Sequence, residues 1–170
     1  MKTVFFDVDT QLDFVSPGGA LYVPGAELVI PTVAALNRRA SVLVSTVDAH
    51  TENDIEFQVW KPHCVMGCLG QRKPAETMVG QIIFEKVTTD AFLSPRMEPL
   101  LRELAADRFV VYGVATEICV QFAALGLLAT GARVEVVTDA VKQLSLPGMG
   151  AFYADFRSRG GVLTTSAEVM

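Results

Sequence analysis

The chain has 170 residues and a formal net charge of −5 at pH 7, and apolar residues make up 51% of it. This length fits one domain of ordinary size, which we predict to cover residues 1–170, and the apolar share excludes a disordered chain. The acidic balance without a basic run excludes nucleic acid as an expected partner, while an odd number of cysteines, three, argues against a disulfide framework and for a reducing compartment.

The beginning of the chain and its apolar runs predict where the protein resides. No signal peptide precedes the first strand-like run, which begins at residue 3. The longest mostly apolar run, residues 118–128, is too short to span a bilayer. We therefore expect a cytoplasmic protein with no membrane partner.

Short apolar runs that alternate with helical patterns define the predicted architecture. The predicted strands are residues 3–8, 41–47, 81–84, 109–112, 133–137 and 161–164. The predicted helices are residues 26–39, 95–106, 117–130 and 147–157. Because most of the strands are apolar throughout, they fit a parallel sheet that is covered on both faces. The alternation predicts an α/β fold, a three-layer α/β/α sandwich with right-handed crossovers.

One long segment, residues 48–80, has no sustained periodicity. Loops of this length are uncommon inside a compact domain and are usually functional or disordered. This segment contains Trp60 and both histidines of the chain, His50 and His63, so we interpret it as a functional loop.

The segment around Cys119 carries the strongest local pattern. A buried strand ends, Gly113 makes a turn, and Cys119 falls in the first turn of the following predicted helix. Backbone N–H groups and the positive end of a helix favour a thiolate nucleophile there and could also hold an oxyanion. A small buried cysteine that packs a helix against the sheet explains the same pattern. The residues alone leave both interpretations open.

Charged residues follow the ends of two predicted strands. Asp7, Asp9 and Asp13 cluster after the first strand, at the sheet edge where ligands bind in parallel sheets. One of these carboxylates could act as a general base toward Cys119, while at least one is expected to cap a turn. Lys86 follows the third strand and could hold a buried carboxylate ionised, although a solvated lysine is the simpler interpretation.

The long loop also carries candidate metal ligands. Asp48 and His50 lie on one side of an extended segment because side chains alternate there, and Glu56 and His63 follow in the same loop. Carboxylate and imidazole groups together suit Zn²⁺, Mn²⁺ or Fe²⁺. A rival ligand set is His50, His63, Cys64 and Cys68. The rival is disfavoured because adjacent residues in it cannot easily bind one ion together.

Taken together, these segments resemble the cysteine hydrolases of the isochorismatase-like superfamily and, within it, the nicotinamidases. The segments that carry the resemblance are residues 9–14 (DTQLDF), 17–21 (PGGAL), 48–50 (DAH), 60–65 (WKPHCV), 84–86 (FEK) and 113–120 (GVATEICV). The resemblance spans nearly the whole chain. It implies a mostly parallel six-stranded sheet between helices, which agrees with the architecture predicted from the apolar runs.

The resemblance also implies roles for individual residues. The catalytic triad would be Asp9, Lys86 and Cys119. The backbone N–H groups of Ala115 and Cys119 would form the oxyanion hole, with a cis peptide bond between Val114 and Ala115. The metal ligands would be Asp48, His50 and His63, with Glu56 in the position of a fourth ligand, and Phe14 and Trp60 would flank a pyridine ring.

The activity that the resemblance implies is the hydrolysis of nicotinamide to nicotinate and ammonia through a thioester on Cys119. One divalent metal ion would assist the reaction, and no organic cofactor is expected. The expected partner is a small-molecule amide. A homo-oligomer and a role in pyridine nucleotide salvage are further expectations. The nearest alternative is another hydrolase of the superfamily, acting on a different small amide or on isochorismate, but such enzymes generally lack the pair of histidines.

Two alternatives lie outside this activity. A phosphatase of the haloacid-dehalogenase type would use Asp7 as its nucleophile, but it expects Thr or Val where this chain has Gln11. A non-catalytic scaffold on the same fold is disfavoured because a scaffold has no need for all three residues of the triad.

Overall fold

A six-stranded sheet forms the centre of the computed structural model, which describes residues 1–169; Met170, the last residue of the predicted domain, lies outside them. The strands are β1 (Thr3–Val8), β2 (Leu43–Asp48), β3 (Ile82–Lys86), β4 (Arg108–Val114), β5 (Arg133–Lys142) and β6 (Val162–Thr164). Their order in the sheet is β3-β2-β1-β4-β5-β6, and each neighbouring pair is parallel. The predicted α/β fold with a parallel six-stranded sheet is confirmed.

Helices connect the strands. They are α1 (Leu12–Val15), α2 (Ile30–Arg39), α3 (Met97–Leu104), α4 (Gln121–Ala129), α5 (Leu146–Ser158) and α6 (Ser166–Val169). Every residue of β2 is buried, as is every residue of β1 and β4 after the first, so the central strands are covered on both faces. Within residues 1–169, no helix is long and apolar enough to cross a membrane.

Several predicted boundaries differ from the structure. The predicted helix at residues 26–39 is a 3₁₀ turn, Ala26–Val29, followed by α2, whose first turn contains Pro31. The predicted helix at residues 117–130 begins instead as a π-helical turn, Thr116–Val120, before α4. β5 extends past the predicted end at residue 137, and its pairing with β4 is irregular between Val111 and Gly113.

The predicted start of the helix at residues 95–106 is wrong. Asp90 accepts a hydrogen bond from the backbone N–H of Phe92 at 2.9 Å and caps a separate 3₁₀ turn, Ala91–Leu93. That turn occupies the chain immediately before Ser94, so α3 begins only at Met97. Residues 48–80 contain short 3₁₀ turns and one isolated bridge between His50 and Val65, which confirms that this segment has no long regular element.

The strand order reverses beside β1, because β2 and β3 extend the sheet on one side of it and β4 begins the other side. Ligands of open parallel sheets bind at such a switch point, outside the carboxyl ends of the strands. Gly113 lies near the end of β4 with φ of 122°, and a Cβ there would stand 2.1 Å from the carbonyl oxygen of Val8. A glycine is therefore required where β4 passes β1 at this edge.

Candidate active site

The three predicted catalytic side chains meet at the switch point. Asp9 follows β1, Lys86 ends β3, and Cys119 lies on the π-helical turn after β4. The Lys86 Nζ lies 2.8 Å from Asp9 Oδ2 and 3.9 Å from Cys119 Sγ, and all three residues are buried. Thr46 Oγ1 donates a hydrogen bond to Asp9 Oδ1 at 2.6 Å. The arrangement holds a carboxyl, an ammonium and a thiol in one water-poor cluster.

Asp7 and Asp9 contact opposite faces of the sheet although they are two residues apart. Asp7 accepts a hydrogen bond from Ser45 and Asp9 accepts one from Thr46, and these neighbours on β2 point to opposite sides. The backbone of Asp9 has φ of 50°, in the left-handed region, so the regular alternation of β1 ends there. Both carboxylate oxygens of Asp7 are held by hydrogen bonds or by the ammonium of Lys73, which disfavours a phosphatase that uses Asp7 as its nucleophile.

Burial decides the protonation state of the thiol. It raises the pKa of Cys119 well above its ordinary value, and the nearby ammonium of Lys86 only partly opposes this. The thiol needs a base to become a nucleophile.

Asp9 can be that base. Burial raises the pKa of its carboxyl and the charge of Asp48 adds to the shift, while Lys86 opposes both. Burial disfavours the charged form of Lys86, but Asp9, Cys119 and Asp48 raise the pKa of its ammonium well above the usual value. Lys86 thus stays a cation, and Asp9 is the group beside the thiol that can exchange a proton with it.

A second cluster adjoins the first. Asp48, His50 and His63 each offer one ligand atom, these atoms lie within 4.8 Å of one another, and all three residues are buried. His63 Nε2 is 3.4 Å and His50 Nε2 is 3.7 Å from Asp48 Oδ2. Lys86 Nζ donates to Asp48 Oδ1 and to the carbonyl oxygen of Thr88, so Lys86 links the two clusters.

The outer nitrogens of both imidazoles face oxygen atoms. His63 Nδ1 lies 2.7 Å from the carbonyl oxygen of Lys61, and His50 Nδ1 lies 3.1 Å from Asp54 Oδ2. Metal-bound histidines use such partners to fix the ring and direct the other nitrogen to the ion. Burial lowers the tendency of His50 to be charged, but Asp48 and Asp54 outweigh burial and raise its pKa.

The second cluster fits a divalent metal ion. Among the described residues, the buried Nε2 of His50 has no hydrogen-bond partner, which is costly unless a metal or another group satisfies it. Two imidazoles and a carboxylate are a ligand set that Zn²⁺, Mn²⁺ and Fe²⁺ accept.

Asp54, which faces His50, was not identified from the sequence as a residue of the site. Its carboxylate also accepts the backbone N–H of Glu56 at 3.0 Å. Its spacing of four residues from His50 was the only available signal.

The remaining candidate ligands lie apart from the close cluster. Glu56 does not belong to the group of ligand atoms within 4.8 Å, although burial and the charge of Asp48 both raise its pKa. Glu56 as a fourth ligand stays a prediction. The rival set is not assembled, because Cys68 is exposed and Cys64 Sγ instead faces the carbonyl oxygen of Gly70 at 4.0 Å.

A cleft of ≈ 330 Å³ opens over both clusters. Four of the predicted catalytic, oxyanion-hole and metal-binding residues line this cleft: Asp48, His63, Ala115 and Cys119. Its other lining consists of Phe14, Ala20, Leu21, Tyr22, Val23, Trp60, Lys61, Thr89, Val114, Ile118 and Leu144. The predicted aromatic pair, Phe14 and Trp60, therefore does line the cleft. The peptide bond between Val114 and Ala115 is cis, as predicted.

Two polar residues near β1 position the site without lining the cleft. The Gln11 side chain donates to the carbonyl oxygen of Asp48 at 2.8 Å and accepts from the Asp48 backbone N–H at 2.7 Å. Asp13 accepts the backbone N–H of Cys64 at 2.7 Å and that of Ala20 at 3.0 Å. The expected capping role of one aspartate is confirmed for Asp13.

Comparisons with known proteins agree with this geometry. A family model described as the Isochorismatase domain matches residues 3–168. The pyrazinamidase of Pyrococcus horikoshii, solved in complex with zinc, is 30% identical, with a TM-score of 0.90 and coverage of 97% of this chain and 99% of that one. PnC1 from L. infantum, solved in complex with nicotinate, is 29% identical with a TM-score of 0.89, over 98% of this chain and 93% of that one. The nicotinamidase of Acinetobacter baylyi is 27% identical over 83% of this chain and 81% of its own length.

The match extends over nearly the whole chain, so the chain belongs to the isochorismatase family. It is a hydrolase of that family. The metal cluster and the zinc-bound relative together support a divalent metal ion at Asp48, His50 and His63.

Proposed function

We propose that the chain is a metal-assisted cysteine amidohydrolase that converts nicotinamide to nicotinate and ammonia. The observation that carries this proposal is the contact of Lys86 with both Asp9 and Asp48, which places a thiol and its base next to three metal ligands. Relatives named nicotinamidase and pyrazinamidase support the choice of an aromatic amide.

The proposed reaction follows from the protonation states of the cluster. Asp9 takes the proton of Cys119, and the sulfur attacks the amide carbon, whose oxygen becomes an oxyanion held by the backbone N–H groups of Ala115 and Cys119. When the tetrahedral intermediate collapses, the C–N bond breaks and Asp9 gives its proton to the departing ammonia. A thioester on Cys119 remains.

The second half of the reaction uses the same groups in reverse. Asp9, again a carboxylate, takes a proton from water, and the resulting hydroxide attacks the thioester carbon. The C–S bond then breaks, nicotinic acid leaves and loses its carboxyl proton to solvent, and the thiolate of Cys119 recovers the proton from Asp9. Lys86 remains charged throughout and holds the Asp9 carboxylate in position.

Asp48, His50 and His63 would hold the metal ion, with Glu56 as a direct or water-mediated fourth ligand. A bound divalent ion supplies a coordination position that accepts a pyridine nitrogen and so orients the ring. Phe14 and Trp60 would pack against the two faces of the ring, because offset and edge contacts between aromatic rings are favourable.

We also propose a single-domain, cytoplasmic enzyme of pyridine nucleotide salvage. The family match from residue 3 to 168 and the three free thiols, Cys64, Cys68 and Cys119, support the domain and the reducing compartment. The homo-oligomer stays a prediction.

The test is ammonia release by the metal-loaded protein from nicotinamide and from benzamide, which has the same shape without the ring nitrogen. Both rings can stack between Phe14 and Trp60, so stacking does not discriminate between them. A site built around one polar contact rejects the analogue that lacks it by about 10⁴-fold or more, and we expect that difference in kcat/KM. A difference of only about tenfold would contradict the substrate proposal. Faster turnover of a non-pyridine amide or of isochorismate would identify a different hydrolase of the family.

A further inference from the structure

Glu117 connects the turn that carries Cys119 to the rim of the cleft. Its Oε1 accepts the backbone N–H of Leu144 at 3.0 Å and that of Ser145 at 2.5 Å, and its Oε2 lies 3.3 Å from the Leu144 N–H. Ser145 is the N-cap of α5, and its hydroxyl oxygen accepts the backbone N–H of Gly148 at 3.2 Å. The carboxylate of Glu117, which precedes Cys119 by two residues, therefore fixes the segment between β5 and α5 relative to the nucleophile.

This connection leaves a hydrophobic side chain at the entrance of the cleft. Leu144 lines the cleft and is nevertheless 49% exposed. Gly148, in the first turn of α5, packs against Glu117, since a Cβ at that position would be 3.0 Å from Glu117 Cγ. The backbone of residues 144–148 is thus held from two sides, and the position of Leu144 is set by Glu117.

The cleft is larger than a single six-membered ring requires. Its volume is ≈ 330 Å³, whereas pockets of about 300–1,000 Å³ hold drug-sized ligands with several rings. Its polar reactive groups are Asp48, His63 and Cys119, and most of the other lining is aliphatic or aromatic. A substituent on the ring of a bound amide would therefore meet apolar surface.

We propose that the cleft also accepts aromatic carboxamides that carry an apolar substituent on the ring, and that Leu144, positioned by Glu117, limits the size of that substituent. This inference rests on the proposed function for the amide class. Leu144 is the specificity-determining residue, and Glu117 is a positioning residue that acts through the backbone of residues 144 and 145.

The experiment measures binding and therefore does not depend on turnover. Trp60 is the one tryptophan of the chain and lines the cleft, so its fluorescence reports occupancy. Metal-loaded protein is titrated with nicotinate, with nicotinates that carry methyl, ethyl or phenyl groups at ring position 5 or 6, and with the correspondingly substituted benzoates. The variants are Leu144→Ala and, as a matched control, Leu146→Ala, which removes a neighbouring leucine that is 66% exposed and does not line the cleft.

For Leu144→Ala we expect the Kd of the largest acid, divided by the Kd of nicotinate, to fall about tenfold at one of the two ring positions, since a few methylene groups in an apolar pocket change binding by that order. Leu146→Ala should leave the ratio unchanged. An equal change for all acids, or the same change in both variants, would overturn the inference while leaving the nicotinamidase proposal intact. Binding of substituted benzoates but not of nicotinate would contradict the nicotinamidase proposal and still support the size limit, provided that Leu144→Ala shifts the ratio.

The positioning role of Glu117 is tested with two variants that remove both or one of its acceptor oxygens. Glu117→Ala removes both acceptors and should lower the Kd of the largest acid relative to that of nicotinate, as Leu144→Ala does. Glu117→Gln keeps one carbonyl acceptor and should restore most of the wild-type ratio. Thermal unfolding of each variant separates this effect from a loss of folded protein. A variant Glu117→Ala that stays folded and keeps the wild-type ratio of Kd values would overturn the positioning role.

Discussion

Two buried lysine–aspartate pairs lie on opposite faces of the sheet at the end of β1, and they differ in how completely they are satisfied. In the pair of Asp7 and Lys73, Asp7 Oδ1 accepts from Thr10 at 2.8 Å, and Asp7 Oδ2 accepts from Asn37 at 2.9 Å and from Ser45 at 3.2 Å. Lys73 Nζ lies 2.9 Å from the same Oδ2 and also contacts Thr10.

The pair of Asp9 and Lys86 has the same charges but an incomplete set of partners. Asp9 Oδ1 accepts from Thr46, while Oδ2 faces only the ammonium of Lys86 and the neighbouring thiol of Cys119. Lys86 is shared with Asp48 of the metal cluster.

The comparison teaches that burial of a charged pair does not identify a functional site by itself. The Asp7 carboxylate is held by Thr10, Asn37, Ser45 and Lys73 and has no thiol beside it. Asp9, whose pKa is raised by burial, lies beside the thiol of Cys119 and can exchange a proton with it. The first pair is expected to serve folding and the second to serve chemistry. The following variants test that division.

The largest expected effect is on turnover. Cys119→Ala should lower kcat/KM by at least about 10⁴-fold, because it removes the atom that forms the acyl intermediate. Cys64→Ala and Cys68→Ala are the matched controls and should keep most of the activity. Ammonia release measures all three variants. A comparable loss in Cys64→Ala would show that the nucleophile has been assigned to the wrong cysteine.

The next effect separates the two pairs by stability. Lys73→Met leaves Asp7 as a buried, uncompensated charge and should lower the free energy of unfolding by about 3–5 kcal/mol, as measured by urea denaturation. Adding Asp7→Asn should restore part of the loss, because the remaining group is neutral. Lys86→Met also leaves buried carboxylates without their ammonium, but in addition it should abolish the turnover of the protein that remains folded. Wild-type stability of Lys73→Met would contradict a structural role for this pair.

A smaller effect is expected at the metal cluster. Asp54→Asn removes the carboxylate that faces His50 Nδ1, and partners of this kind are worth about 10–100-fold in metal affinity. Competition with a chromogenic chelator measures the Kd for Zn²⁺. Glu52→Gln, an exposed acid in the same loop, is the control. An unchanged Kd in Asp54→Asn would show that Asp54 does not orient His50.

The smallest effect concerns Glu135, a buried acid whose partners are partly in solvent. Burial opposes ionisation, but Arg108 and Arg133 lower the pKa of Glu135 below its ordinary value of 4.5. Stability from this group is therefore complete above that value and is lost as the pH falls through the lowered pKa.

We expect Glu135→Gln to lower the free energy of unfolding by about 1 kcal/mol at neutral pH, because Arg133 is exposed and screened, and by less near pH 3. Urea denaturation at both pH values measures the difference. Glu98→Gln disrupts an exposed pair with Arg102 and should change little. A larger loss of unfolding free energy from Glu135→Gln in acid than at neutral pH would contradict the expected direction of the pH dependence.

The sequence predicts the strands well because buried parallel strands are apolar along their whole length, as β2 is. The residues themselves indicate the carboxylates after β1, the cysteine after β4 and the metal ligands of the long loop, because the carboxyl ends of parallel strands share an edge and the acids and histidines cluster in residues 48–63. The assignment of Asp9, Lys86 and Cys119 as one triad comes from the resemblance. Local patterns do not reveal that Asp9 turns to the other face of the sheet, since this depends on a left-handed backbone at a residue that is not glycine.

Long-range contacts are the other part that the sequence does not reveal. Lys73 lies in the aperiodic loop, 66 residues from Asp7 along the chain, and no spacing rule connects them. The same holds for Glu117 and Leu144, which are 27 residues apart. Such partners depend on how the loops pack on the sheet, which hydrophobic periodicity does not specify.

The most direct test of the central claim is the product that the metal-loaded protein forms from nicotinamide in the presence of hydroxylamine. A thioester on Cys119 reacts with hydroxylamine as well as with water. We therefore predict a nicotinoyl hydroxamate whose share of the product rises with the hydroxylamine concentration, and no product of either kind from Cys119→Ala. Nicotinate as the sole product at every hydroxylamine concentration would contradict an acyl intermediate on Cys119.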